Sequence, residues 1–192
     1  MPKYVAFLRG INVGGHRVKM DRLREIFEEM GLADVSTFIA SGNVIFSVTS
    51  TDVDQLTKNI ERHLEQRLGY SVLTFLRSPA ELDAIAAFEP AEVGEGQHPD
   101  PSLYVSFLRE PADPDLRATF AGLRSEMDEF RFSQREIYWM IQGKLSESPL
   151  FGSGIERATR GIPNTARNVT TLRRLVARLA EQGDAQERDG DG

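Results

Sequence analysis

The chain has 192 residues, 40% of them apolar and 27% charged, with a net charge of −6 and no cysteine. That length suits one large domain or two small ones with a sizeable core, and the missing thiols exclude disulfides, thiolate catalysis and cysteine-ligated zinc or iron–sulfur sites. No apolar run approaches the roughly 20 residues that span a bilayer, so membrane association and a signal peptide are not expected and a reducing, cytoplasmic location is.

Tyr4 to Arg9 reads as a strand, a short apolar run of aromatic and β-branched residues that stops at Gly10. A glycine-rich loop follows, and then Met20, Leu23, Ile26, Phe27 and Met30 recur at helical spacing until Gly31 ends the helix. Val35 to Ala40 and Val44 to Val48 flank Ser41-Gly42-Asn43, whose Gly and Asn tolerate the positive φ of a tight turn, and they predict a hairpin. Thr51 or Asp52 caps a second helix that runs to Leu68 before Gly69, and Tyr70 to Leu76 supplies a fourth strand. The order β, α, β, β, α, β is that of a ferredoxin-like unit. A short helix from Pro79 to Phe88 and a connection rich in Pro, Gly and acids, Glu89 to Pro101, come next.

Beyond that connection the sequence repeats. Tyr104-Val105-Ser106-Phe107-Leu108-Arg109 matches Tyr4-Val5-Ala6-Phe7-Leu8-Arg9 at five of six positions. A helix from Asp113 to Met127, a hairpin across Ser133-Gln134-Arg135, a helical stretch near Leu150 to Arg160 and a last helix from about Thr170 follow in the same order. The expectation is an α+β protein of two ferredoxin-like subdomains derived by duplication. Residues 1–88 form the first with its connecting helix, 89–101 a linker, 102–182 the second, and 183–192 a disordered acidic tail.

Charge is unevenly distributed. Residues 1–24 and 155–180 each hold six Lys or Arg and one acid, within an acidic whole. Solvated helix faces account for such runs as well as a local attractive field does. The loop Gly10-Ile11-Asn12-Val13-Gly14-Gly15-His16-Arg17 joins a strand to a helix, where backbone amides and the helix dipole can converge on an anion. It is not a Walker A loop, because His16 and Arg17 stand where the lysine and hydroxyl belong, and it lacks the G-x-G-x-x-G spacing of a dinucleotide fold. Strands one and two run the same way in this topology, so the loop should share an edge with the Ser41-Gly42-Asn43 turn. Arg9, Gly10, Asn12, Gly14, Gly15, Lys19, Ser41 and Asn43 are the candidate ligand-binding residues there, against the ordinary alternative of a turn-to-turn hydrogen-bond network. Near the carboxyl end Arg167 and Asn168 precede the last helix, with Lys144 as a second cation, where helix capping is the ordinary alternative. His16, His63 and His98 have no ligand spacing, so no metal site is expected, and no nucleophile elbow is present.

Leu8-Arg9-Gly10-Ile11-Asn12-Val13-Gly14-Gly15, with Lys19, Met20 and Leu23, and then Ser41-Gly42-Asn43-Val44 with Phe46, closely resemble the bacterial family called domain of unknown function 1697. The resemblance runs from residue 4 to about 180. The family's closing motif, Arg-Asn-Trp-Asn-Thr, reads here as Arg167-Asn168-Val169-Thr170-Thr171, and its Ser-Lys-Leu stretch as Gly143-Lys144-Leu145. Membership implies two ferredoxin-like subdomains and brings no activity, cofactor or catalytic residue. The functional expectation is binding of a phosphate-bearing small molecule or nucleotide at the first loop. The alternatives are a protein-interaction or homodimer scaffold using sheet edges, a transferase or hydrolase using Lys19 or Lys144, and nucleic-acid binding through the two basic segments, which the net charge disfavours.

Overall fold

The computed structural model describes residues 1–12, 15–39, 42–49, 52–89 and 101–189, with side chains as far as Gln182. Two compact units divide the chain, one made of Met1–Ile85 with the chain from Arg178, the other of Ala86–Ala177. The first contains β1 (Lys3–Arg9), α1 (Met20–Glu28), β2 (Ala33–Thr37), β3 (Asn43–Ser47), α2 (Val53–Leu68) and β4 (Leu73–Arg77). After α3 (Pro79–Ala86), the second contains β5 (Ser102–Leu108), α4 (Pro114–Ala121), β6 (Asp128–Ser133), β7 (Glu136–Ile141), α5 (Ser153–Ala158) and β8 (Asn164–Asn168). The long helix α6 (Val169–Asp189) follows and enters the segment expected to fray. The connection expected at 89–101 falls almost entirely outside the described residues.

Each unit holds a four-stranded antiparallel sheet, ordered β2-β3-β1-β4 and β6-β7-β5-β8. The repeated motif therefore occupies the same interior strand of two ferredoxin-like sheets, with β1 between β3 and β4 and β5 between β7 and β8. The mixed α+β fold with two similar subdomains follows from this shared order.

In the first unit alternation along β1 sends Ala6 and Leu8 to one face, where Val44 and Phe46 of β3 join them. The stripes Leu23, Ile26, Phe27 of α1 and Leu56, Ile60, Leu64 of α2 close over that face, with the rings of Phe27 and Phe46 5.7 Å apart. Asp52 starts α2 by accepting from the Gln55 amide at 2.9 Å, and Gly69, at φ 79°, stops it.

The second unit packs Leu116 and Phe120 of α4 on Phe130, Ile137, Trp139 and Ile141, with Phe120 edge-on to Phe130 at 4.8 Å. Asp128, at the start of β6, is only 1% exposed. Its Oδ1 accepts from Trp139 Nε1 at 2.8 Å and from Ser148 Oγ at 2.7 Å, and its Oδ2 accepts from Ser125 Oγ at 3.1 Å. One carboxylate thus ties the β6–β7 hairpin to the 3-10 turn at Leu145–Glu147 that follows it.

Three elements differ from the sequence expectation. The helix expected to Met127 ends at Ala121, where Gly122 takes the cap and the chain turns towards β6. The fourth strand starts at Leu73 rather than Tyr70, because Tyr70 leaves the sheet and sends its hydroxyl to the Ile11 carbonyl, 3.0 Å away. Strand β8, which a second ferredoxin-like unit requires but no sequence signal locates, forms from Asn-Thr-Ala-Arg-Asn because β5 offers it a ladder, a tertiary demand that overrides weak local propensity.

Candidate functional site

The loop after β1 is fastened at both ends. Gly10 turns the chain at φ 85°, and Ile11, 4% exposed, plugs into the core. Tyr70 holds the Ile11 carbonyl, and burial raises its phenol above the ordinary tyrosine range, so it remains a donor at neutral pH. The Asn12 side-chain oxygen accepts from the Val18 amide at 2.8 Å and closes the loop on itself. The Lys19 carbonyl then accepts from Leu23 to begin α1.

Between those fastenings lie Gly15, His16 and Arg17. The His16 ring stacks on Tyr70 with centroids 3.9 Å apart and planes 22° from parallel. His16, Arg17, Lys19 and Arg22, with Arg67 of α2 and Tyr70 just beyond it, line an open cleft of about 520 Å³. Its charge is lopsided. Arg22 binds Glu25 at 3.1 Å and Glu29 at 3.3 Å, and Arg67 binds Glu29 at 2.6 Å. Arg17 and Lys19 are exposed, and among the described residues neither pairs with a carboxylate.

Glu29 fixes the geometry of the two walls, since it accepts from Arg22 on α1 and from both His63 and Arg67 on α2. Desolvation pushes its pKa up, but hydrogen bonds from His63, Arg67 and Arg22 outweigh it and hold the carboxyl below the usual glutamate range. A carboxylate with a depressed folded-state pKa stabilises the protein above its unfolded pKa and loses that effect as pH falls through the folded value. We therefore expect thermal melts to show Glu29→Gln less stable than wild type at pH 7, with the gap closing below the ordinary glutamate range; a gap constant down to pH 3 would contradict the linkage.

The equivalent loop of the second unit is a built-in comparison. There Asp113 caps α4 by accepting from the Leu116 amide at 2.7 Å, whereas no side chain caps α1. The Arg109–Asp113 loop borders a smaller hollow of about 160 Å³ and brings Arg109 and two acids, Glu110 and Asp113, to it. The same strand-to-helix junction is cationic and uncapped in one unit, acidic and self-capped in the other.

The sequence-derived candidates distribute unevenly around the cleft. Gly15 and Lys19 line it, Gly10 and Asn12 shape the loop, and Arg9 is exposed at the end of β1. Gly14 and Ser41 lie outside the described residues. The loop and the hairpin do share an edge, since Leu8 donates to the Gly42 carbonyl at 2.8 Å. Asn43, however, is fully buried and donates its amide to the Phe38 carbonyl at 3.1 Å, inside the hairpin. The open side faces α2, whose Arg67 carries no sequence signal linking it to the loop.

Lys144, Arg167 and Asn168 belong to the second unit. The Lys144 amide donates to Glu147 at 2.9 Å, and its side chain is exposed. Arg167 lies within β8 and donates to Thr165 Oγ1 at 2.9 Å and the Ala166 carbonyl at 2.8 Å; burial lowers its pKa to about 10, which leaves it charged at neutral pH. Asn168 accepts from the Thr170 amide at 2.8 Å and so opens α6. Among the described residues no three His, Asp or Glu side chains cluster as metal ligands, and no helix is long and apolar enough to cross a membrane.

Fold and site together define an α+β protein of two ferredoxin-like units whose first βα loop borders a cationic cleft. The chain belongs to the family described as protein of unknown function (DUF1697), which matches residues 1–138. That match takes in the glycine loop and the Ser41-Gly42-Asn43 turn and stops before the closing motif at 167–171. A conserved bacterial protein from Streptococcus pneumoniae has a similar structure, with a TM-score of 0.69 and 24% identity over 94% of this chain and 99% of its own. No curated protein matches the chain.

Proposed function

We propose that this protein binds a phosphate-bearing small molecule in the cleft beside the glycine loop. The observation that carries the reading is the pair of exposed cations, Arg17 and Lys19, which lead into an uncapped helix start without a carboxylate partner among the described residues. Arg22 and Arg67 add further positive charge to the cleft lining, partly neutralised by Glu25 and Glu29. A phosphate entering here gains charge-assisted hydrogen bonds from groups that need not first break other ion pairs. Binding is the role assigned; turnover is not. The lack of cysteine is compatible with a reducing compartment such as the cytoplasm as its setting.

Calorimetric titration with inorganic pyrophosphate tests the reading. We expect saturable binding that weakens as salt rises, and at least a tenfold loss of affinity in Arg17→Ala/Lys19→Ala, about 1.4 kcal/mol or more. Both side chains are exposed, so the variant should melt like wild type. Absence of heat with the wild-type protein, or equal affinities for the two, would overturn the assignment.

A further inference from the structure

From the ring stack at the edge of the cleft, we infer that the phosphate-bearing ligand is a nucleotide, its base lying on His16 and its phosphates between Arg17, Lys19 and the facing arginines. The inference rests on the anion-binding reading and adds to it the chemical class of what the phosphate is attached to. A site for phosphate alone needs donors and charge. This one also holds a flat aromatic surface, an imidazole stacked on a phenol ring. His16 is exposed, and the ring it stacks on, Tyr70, packs against the core. One face of its ring stacks on Tyr70 at 3.9 Å, and both rings line the cleft.

The platform is ordered before any ligand arrives. Tyr70 cannot swing away without giving up its hydrogen bond to Ile11, and Ile11 is fixed by burial. The Asn12 to Val18 bond limits how far the loop carrying His16 can open. Stacking a base on a ring that is already held costs less ordering than stacking it on a mobile side chain. Every nucleobase has a π-face, so the surface selects for a base without dictating which one. Arg17 and Lys19 follow His16 within three residues, so a base on the ring keeps its phosphates within reach of the exposed cations. The cleft volume, about 520 Å³, lies within the roughly 300–1,000 Å³ range of small-molecule sites and suits a single nucleotide. A groove tracking a nucleic-acid strand would need cations spaced along several nucleotides, and here they gather at one spot.

The test compares adenosine diphosphate, inorganic pyrophosphate and a short single-stranded oligoadenylate by calorimetry, using the full chain and its His16→Ala and His16→Phe variants. We expect the diphosphate to bind wild type at least fivefold more tightly than pyrophosphate. That advantage should disappear in His16→Ala and persist in His16→Phe, which keeps a ring but loses the nitrogens, while pyrophosphate affinity stays within about twofold throughout. If pyrophosphate and adenosine diphosphate bind wild type equally, or His16→Ala leaves their ratio unchanged, the nucleotide inference fails and the anion site stands. If neither binds, both fail. Tighter binding of the oligonucleotide than of the mononucleotide would overturn the free nucleotide in favour of a nucleic-acid strand.

Discussion

Replacing Asp128 by alanine is expected to destabilise the second unit by about 4 kcal/mol, because each buried donor left without its charged acceptor costs roughly 1–3 kcal/mol. Trp139 Nε1, Ser148 Oγ and Ser125 Oγ all donate to this carboxylate. Ser148 in turn accepts from the Leu150 amide, so its displacement propagates into the chain beyond the 3-10 turn. Asp128→Asn retains an acceptor for the indole and for Ser148, and should cost about half as much. Trp139 is the chain's sole tryptophan and is 9% exposed, so its fluorescence follows the unfolding of this unit in urea. A loss under about 1 kcal/mol for the alanine variant would show that the carboxylate network contributes little.

The second large effect is expected at Gly42. Its φ is +71°, and a Cβ there would stand 2.7 Å from Ile11 Cγ2 and 3.3 Å from Leu8 Cβ. Gly42→Ala therefore combines left-handed backbone strain of roughly 1–2 kcal/mol with overpacking of similar size, about 3 kcal/mol together. Gly15 provides the control. It too has positive φ, +88°, but among the described residues nothing lies within 4 Å of an added Cβ, so Gly15→Ala should show the backbone cost alone. The two variants can be compared by denaturant melts followed by far-ultraviolet circular dichroism. Equal losses would mean that the fit of Gly42 against Ile11 is slack. Because Ile11 anchors the glycine loop, Gly42→Ala should also weaken pyrophosphate binding.

The units differ in how much of them the sequence discloses. Strands β1 and β3 and helices α1 and α2 are legible because their apolar residues keep strict periods between glycine and capping signals, and Asp52 with Gly69 marks both ends of α2. Strand β8 has no such signature, since three of its five residues are Asn, Thr and Asn and it is held as an edge by β5 alone. In linear order Asp128 resembles any of the chain's many carboxylates. Only folding buries it against Trp139, a residue eleven positions away across a hairpin.

At the site, the glycine loop stands out because glycines gathered between a strand and a helix mark a backbone that must turn through positive φ. Topology also places the hairpin turn beside it correctly. What linear order does not convey is which way the side chains face: Asn43 turns inward to satisfy Phe38, while Arg67 and Tyr70, from the end of α2 and the turn after it, complete the cleft. Arg17 and His16 are visible in the loop, but the stacking of His16 depends on Tyr70 lying outside its expected strand.

The placing of β1 and β5 inside their sheets has a consequence for biosynthesis. The strand that emerges first in each half needs neighbours on both flanks, and the second neighbour, β4 or β8, is the last to be made. Until it leaves the ribosome the apolar Tyr-Val-x-Phe-Leu segment keeps one row of peptide groups bare, an invitation to pair with another nascent chain. Premature termination just ahead of either closing strand should therefore yield insoluble fragments rather than smaller folded ones.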